Sequence, residues 1–153
     1  MMQNKRNAYS LVEMVIAVIF LGIIAAIAVP RLNYSVTSKY LAESLSRKIV
    51  TDLRRTRMLA ISSAAENNIG YALNMTGNSP YNAYEIKNLD TSEIIETFTI
   101  DTNISCTGGG NFQFGPLGNL ITGSDNRLVV SSATKTCTIS IVPATGMIKC
   151  EEN

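Results

Sequence analysis

The sequence predicts an α+β protein in which a long N-terminal helix packs on a small antiparallel β domain. Three observations lead to this prediction: an apolar run over 11–29, a helical repeat of apolar residues over 31–65, and short β-type runs after residue 70. Of the 153 residues, 46% are hydrophobic and only 16% are charged, whereas about 25% charged is usual for soluble domains. The excess of apolar residues is concentrated in the run over 11–29.

The run over 11–29 is hydrophobic at all but two positions. Its 19 residues, at about 1.5 Å each, span roughly 28 Å, close to the hydrocarbon thickness of a bilayer. Because the run is apolar on all sides, we predict a transmembrane or filament-core helix over 9–29. Lys5 and Arg6 precede it without an acidic neighbour, which favours a single-pass protein with a cytoplasmic N-terminus and its head outside the inner membrane.

Residues 30–66 are predicted to continue this helix as an amphipathic segment. Pro30 should kink the helix without ending it, so that one helix over about 9–65 would be roughly 85 Å long. On the side opposite the apolar stripe, Glu43 and Arg47 form a favourable i,i+4 pair, and Lys48 and Asp52 a weaker one. The stripe recurs at steps of three and four residues and consists of Leu32, Val36, Tyr40, Leu41, Leu45, Ile49, Leu53 and Ala60.

Residues 67–153 are predicted to form a β-rich head, because short β-type runs alternate there with Gly, Pro, Asn and Asp. The last two runs should form a terminal hairpin around the turn 143–146. Strands this short bury little by themselves, so the stripe of the long helix should complete their core. The seven predicted strands are 69–73, 84–88, 94–100, 111–114, 127–131, 137–142 and 147–150.

The charges are separated along the chain. Residues 31–57 hold seven basic and two acidic residues, a net charge of +5, and residues 58–153 hold four basic and nine acidic residues, a net charge of −5. Such blocks are often solvated surface. As a hypothesis, the basic helix of one subunit attracts the acidic head of another.

Several kinds of chemistry are excluded or disfavoured by composition. The chain has no His, so a Ser-His-Asp triad, a Cys-His pair and a His-containing zinc site cannot form. The glycine run 108–110 lacks the Gly-Lys-Ser/Thr ending of a phosphate loop, and Asp101 and Asp125 have turn-type rather than Ca²⁺-loop spacing. We therefore predict no enzymatic activity, no catalytic residue, no cofactor and no metal site.

Glu13 is the one charge inside the apolar run, where an unpaired carboxylate costs several kcal/mol. The segment Lys5-Arg6-Asn7-Ala8, followed by Tyr9-Ser10-Leu11-Val12-Glu13, resembles the class III signal of type IV prepilins and type II secretion pseudopilins. That family usually has Gly where this chain has Ala8 and Phe where it has Tyr9. The resemblance implies cleavage after Ala8, N-methylation of Tyr9, Glu13 as the fifth mature residue and Pro30 as the twenty-second.

The resemblance also implies a function. The chain would be a structural subunit of a type II secretion pseudopilus or a type IV pilus, with Glu13 meeting the Tyr9 amine of a neighbouring subunit. Its partners would be other pilin or pseudopilin subunits, the prepilin peptidase, the inner-membrane assembly platform and membrane lipid. The stretches Phe112-Gln113-Phe114-Gly115-Pro116-Leu117-Gly118 and Thr145-Gly146 are similar to the GspH/FimT group of minor pilins and pseudopilins.

Two alternative functions come from other classes. Some FimT-like proteins bind DNA through basic residues after the last turn, but this chain has only Lys149 there and an acidic head, which repels phosphate. A DNA-uptake receptor would instead have to use Arg54, Arg55 and Arg57, which otherwise form an exposed helix face or a subunit contact. The second alternative is an exported soluble domain, cleaved after Ala28 by a conventional signal peptidase.

The three cysteines face oxidising conditions if the head lies outside the inner membrane. Cys137 and Cys150 lie on the two arms of the predicted terminal hairpin, so their pairing is favoured. The alternatives pair Cys106 with one or the other. A structural or unpaired Cys106 is preferred to a catalytic thiol, because no basic residue is adjacent to it.

Overall fold

The computed structural model describes residues 10–28 and 34–152. The chain divides into two compact units, Met1–Tyr34 and Ser35–Asn153. The described elements are the helices α1 (Leu11–Ala28) and α2 (Tyr34–Ser62) and eight strands. The predicted α+β class is therefore confirmed for the described residues, which hold two helices and two antiparallel sheets.

The first unit contains α1, which begins where the Ser10 carbonyl accepts hydrogen bonds from the backbone N–H groups of Glu13 and Met14. The large apolar side chains from Leu11 to Ile24 are 48–79% exposed and lie on every side of the helix. Across residues 10–28 and 34–152, no helix combines the length and apolarity that crossing a membrane requires. The predicted kink at Pro30 lies outside the described residues.

The second unit contains α2, apart from its first residue Tyr34, and two four-stranded antiparallel sheets. In the first sheet the strand order is β3-β2-β1-β5, and in the second it is β4-β6-β7-β8. The strands of the first sheet are β1 (Tyr71–Thr76), β2 (Ala83–Asn88), β3 (Ile94–Thr99) and β5 (Asn111–Phe114). Those of the second are β4 (Ser105–Gly108), β6 (Arg127–Ser131), β7 (Thr136–Val142) and β8 (Met147–Glu152).

One hydrophobic core joins α2 to both sheets. The predicted stripe supplies Ile49, Leu53 and Ala60, each fully buried, and Leu45 packs against the same core. From the sheets come large side chains that include Tyr84, Phe112, Phe114, Leu128 and Ile139. The packing of α2 therefore completes the core of the head, as the sequence predicts.

Two members of the predicted stripe were assigned wrongly. Tyr40 is 65% exposed and Leu41 is 37% exposed. The packed part of α2 begins at Ala42, and the buried positions at this end are held by Ala42 and Ser46. The buried positions at this end of α2 thus carry small side chains, and the larger Tyr40 and Leu41 lie outside the contact.

Element boundaries also differ from the prediction. Of the single helix predicted over 9–65, the structure describes α1 and α2, and the junction 29–33 lies outside the described residues. Helix α2 ends at Ser62, where the carbonyl of Leu59 accepts a hydrogen bond from the Ser63 N–H. All seven predicted strands are present: 111–114 and 127–131 have the predicted bounds, and the other five have shifted ends. Strand β4 was missed, because its sequence SCTG is short and runs into glycines; it forms by pairing with β6.

Candidate functional site

The predicted processing and assembly residues lie at the N-terminal end. Ala8, Tyr9 and Pro30 fall outside the described residues. Glu13 lies in the first turn of α1 and is exposed, among apolar neighbours such as Leu11 at 79% exposure. A carboxylate in the first turn is favoured by the partial positive charge of the helix N-terminus. Exposed apolar surface of this extent is typical of sites that contact lipid or other chains.

The three arginines of the predicted cluster lie on two sides of α2: Arg55 faces β3, whereas Arg54 and Arg57 face the turn between β7 and β8. The Nη1 of Arg55 donates to Glu96 Oε2 on β3 at 2.5 Å. The Nε of Arg57 donates to the Gly118 carbonyl at 2.9 Å. Arg54 is exposed and forms no ion pair within residues 10–28 and 34–152. The arginines therefore do not form one basic surface, and part of the hypothesised attraction between helix and head acts within the chain.

The flank of α2 that faces the first sheet carries a buried polar contact. Asp52, predicted only as an ion-pair partner of Lys48, is buried, and the hydroxyl of Tyr84 donates to its Oδ2 at 2.6 Å. Burial, followed by the Asp52 carboxylate, raises the pKa of Tyr84. Lys48 Nζ lies 3.6 Å from Asp52 Oδ2 and 3.6 Å from the Phe98 ring centroid. The buried carboxylate thus has both a hydrogen bond and a counter-charge.

The opposite flank of α2 borders a groove with a volume of about 820 Å³, which we call the basic groove. It runs between the helix and the turn that joins β7 to β8. Two arginines lie among largely apolar lining side chains, so that the surface is both basic and apolar. The lining includes Arg54, Arg57, Met58, Ile61 and Met147.

At the basic groove, Gly146 packs closely against the Gly118 carbonyl group and the Arg57 side chain. Gly146 has a φ of +63°, a left-handed conformation that favours glycine. A Cβ at this position would lie 1.9 Å from the Gly118 carbonyl oxygen and 2.9 Å from Arg57 Nε. The turn glycine of the Thr145-Gly146 motif is therefore required by close packing.

A second polar network connects α2 to the terminal hairpin. Lys135 Nζ lies 2.6 Å from Glu152 and 3.3 Å from Glu43, and Arg47 donates to Glu43 at 2.8 Å. Hydrogen bonds from Arg47 and Lys135 lower the pKa of Glu43, and bonds to Glu152 and Glu43 raise the pKa of Lys135. The predicted Glu43–Arg47 pair is confirmed. Lys135 was missed, because 92 residues separate it from Glu43.

The favoured disulfide is confirmed: Cys137 and Cys150 are bonded across β7 and β8. Cys106 is a free cysteine, fully buried in the core, as the structural or unpaired interpretation expects. Burial raises the pKa of its thiol to about 11. A thiol that stays protonated at neutral pH is a poor nucleophile.

Removing the disulfide should destabilise the head measurably. The bond joins residues 13 positions apart, and closing such a loop contributes about 3 kcal/mol in the chain-entropy model. We expect the double variant Cys137→Ala/Cys150→Ala to unfold at a lower urea concentration than the wild type. Reductant should lower the wild-type midpoint to that of the variant. A reductant effect that persists in the variant would contradict this explanation.

The two aspartates predicted to serve turns accept hydrogen bonds from backbone N–H groups. Asp101 Oδ1 accepts from the Asn103 N–H at 2.9 Å, and Asp125 Oδ2 accepts from the N–H groups of Gly110 and Asn111 at 2.8 and 2.9 Å. Both aspartates therefore serve turns, as the sequence predicts. Among the residues that the structure describes, no group of three or more His, Cys, Asp or Glu side chains could hold a metal ion.

In comparisons with known proteins, no family model, no curated protein and no solved structure matches this chain. The fold and the contacts described above define the class as an α+β protein with an exposed apolar helix and a disulfide-bonded β-rich unit.

Proposed function

We propose that this chain is a minor pilin or pseudopilin, a structural subunit of a type II secretion pseudopilus or a type IV pilus. One observation carries the proposal: α1 has apolar side chains exposed on all sides and a single carboxylate, Glu13, in its first turn. A water-soluble helix would place polar residues on its exposed side. A helix that packs among lipids, and then among the helices of neighbouring subunits, has this character.

Glu13 has a specific role in this proposal. Cleavage by the prepilin peptidase after Ala8 creates an amine at Tyr9, which is then N-methylated. In the filament that amine meets the Glu13 carboxylate of a neighbouring subunit, supplying the counter-charge that a carboxylate needs in an apolar environment. The pairing sets the axial register between helices, because only one offset brings the two charges together.

The second unit suits a structural role. Its disulfide and its Lys135 network both bind the terminal hairpin, and Lys135 joins that hairpin to α2. Before assembly, the predicted segment 9–29, of which α1 is the described part, would hold the subunit in the inner membrane, where the assembly platform inserts it into the filament. We propose no reaction for the protein itself. The DNA-uptake alternative has less support, because Arg55 and Arg57 already contact Glu96 and Gly118.

The N-terminus of the protein purified from its native host tests the proposal. Mass spectrometry should find a chain that begins at N-methylated Tyr9. The variant Glu13→Gln should be processed in the same way but should be lost from isolated filaments, because it has no charge to pair with the amine. Its matched control, Glu66→Gln, removes a carboxylate from the exposed turn after α2 and should assemble normally.

Other N-termini decide against the proposal. A chain that begins at Val29 identifies the exported soluble domain instead, and an uncleaved Met1 leaves no amine at Tyr9 for assembly. Filament incorporation of Glu13→Gln at the wild-type level would remove the proposed role of Glu13. Salt-dependent DNA binding that is lost on changing Arg54 would support the DNA-uptake receptor.

A further inference from the structure

Two exposed surfaces of the second unit complement each other but lie on opposite flanks of α2. The first is the basic groove. The second, which we call the acidic edge, is formed by Asp90, Glu93, Ile94 and Ile95, at the turn between β2 and β3 and at the start of β3. Arg54 and Arg57 mark the flank toward the β7–β8 turn, and Arg55 marks the flank toward β3 through Glu96.

The basic groove contains exposed apolar side chains and an arginine without an ion-pair partner among the described residues. Met58 is 70% exposed and Met147 is 48% exposed, although both line the groove. Arg54 is exposed and has no ion pair with any residue that the structure describes. A ligand for this surface should therefore offer apolar side chains next to a carboxylate.

The acidic edge has that chemistry. Ile94 is 52% exposed and Ile95 is 41% exposed, on a strand that ends its sheet and so has one side without a partner strand. Exposed apolar residues on an edge strand favour association with another chain. Asp90 and Glu93 are exposed beside them, and neither forms an ion pair with a described residue.

We propose that the basic groove of one copy binds the acidic edge of a second copy. The isoleucines pack against Met58 and Ile61, and Glu93 approaches Arg54, so that apolar surface is covered and opposite charges meet. Because the two surfaces lie on different flanks of α2, a copy bound through one surface keeps the other free. Such a head-to-tail contact repeats in one direction and builds a filament unless it closes into a ring.

This inference deepens the proposed function, since it names a contact between heads in the filament, but its test does not depend on leader cleavage. The full-length chain is purified in detergent micelles in a Cys106→Ala background, as two single variants, Met58→Cys and Ile95→Cys. Mild oxidation of the mixed variants should give a disulfide-linked dimer, whereas each variant alone should give only background. Mixing Met58→Cys with Thr122→Cys, at an exposed position outside both surfaces, should also give background.

Charge reversal supplies a second readout. Adding Arg54→Glu to the Met58→Cys chain should lower the dimer yield by about tenfold or more, and adding Glu93→Arg to the Ile95→Cys chain should restore it. Neither change breaks an ion pair seen within the described residues. If Met58→Cys or Ile95→Cys fails to fold, the pair Ile61→Cys and Ile94→Cys tests the same contact.

Three results would overturn the inference: no dimer from either cysteine pair, equal dimer from Met58→Cys alone, or a yield that does not respond to Arg54→Glu. Dimer formation together with an N-terminus at Val29 would retain the contact and reject the pilin function. An N-terminus at methylated Tyr9 without any dimer would do the opposite.

Discussion

Replacing Gly146 with alanine is expected to lower the free energy of unfolding by about 3 kcal/mol or more. The new Cβ would lie 1.9 Å from the Gly118 carbonyl oxygen, so one backbone segment must move. That movement also breaks the 2.9 Å hydrogen bond from Arg57 to Gly118. A φ of +63° adds strain for any residue with a Cβ. Urea unfolding of the full-length chain in micelles measures the change.

Gly123 provides the matched control for this variant. Its φ of +91° is also positive, but no atom lies within 4 Å of a Cβ built on it. Gly123→Ala should therefore show backbone strain alone, about 1–2 kcal/mol. Equal destabilisation by the two substitutions would mean that the overlap at Gly146 contributes nothing. Because Gly146 also lines the basic groove, Gly146→Ala should in addition reduce the proposed dimer.

The stability of the head is expected to fall between about pH 9 and pH 11. Burial raises the pKa of Cys106 from 9.0 to about 11, so the folded state holds the thiol proton more tightly than the unfolded state. The resulting stabilisation is fully present below pH 9 and is lost as the pH rises through 11. At 1.36 kcal/mol per pH unit, the loss due to Cys106 is roughly 3 kcal/mol.

The variant Cys106→Ala isolates the thiol from other groups that titrate in alkali. Tyr84, whose pKa is also raised, and Lys135, whose ion pairs need a charged amine, are present in both proteins. Urea midpoints measured from pH 7 to pH 11 should fall more steeply for the wild type than for the variant. Parallel curves would show that the buried thiol does not contribute to alkaline unfolding.

Features set by neighbours along the chain were predictable. The predicted strands are found in the structure because alternating apolar residues and turn-forming residues are local signals. The Glu43–Arg47 pair follows from helical spacing alone. The terminal hairpin brought Cys137 and Cys150 onto adjacent strands, so their pairing followed from the same local pattern. Strand β4 escaped prediction, because its four residues carry too little local preference and depend on β6 for pairing.

Contacts between distant segments were not predictable. Asp52 and Tyr84 are 32 residues apart, and Arg57 and Gly118 are 61 apart. Their sequence spacing therefore predicts no contact in either pair. The cluster Arg54, Arg55 and Arg57 is compact in sequence, yet successive residues of a helix are turned by about 100°. The helix therefore directs Arg55 to the first sheet and Arg57 to the Gly118 loop.

The sequence by itself determined the α+β class, the apolar N-terminal segment with its single carboxylate, and the division into a basic helix and an acidic head. These properties depend on composition and on periods of two to four residues, which any stretch of chain displays. Only the tertiary structure decided which charges are already paired, that Gly146 has no room for a side chain, and that a basic groove and an acidic edge lie on opposite flanks of α2. The reason is physical: the packing of α2 against a core shared with both sheets determines which side chains meet, and that packing depends on all the strands together.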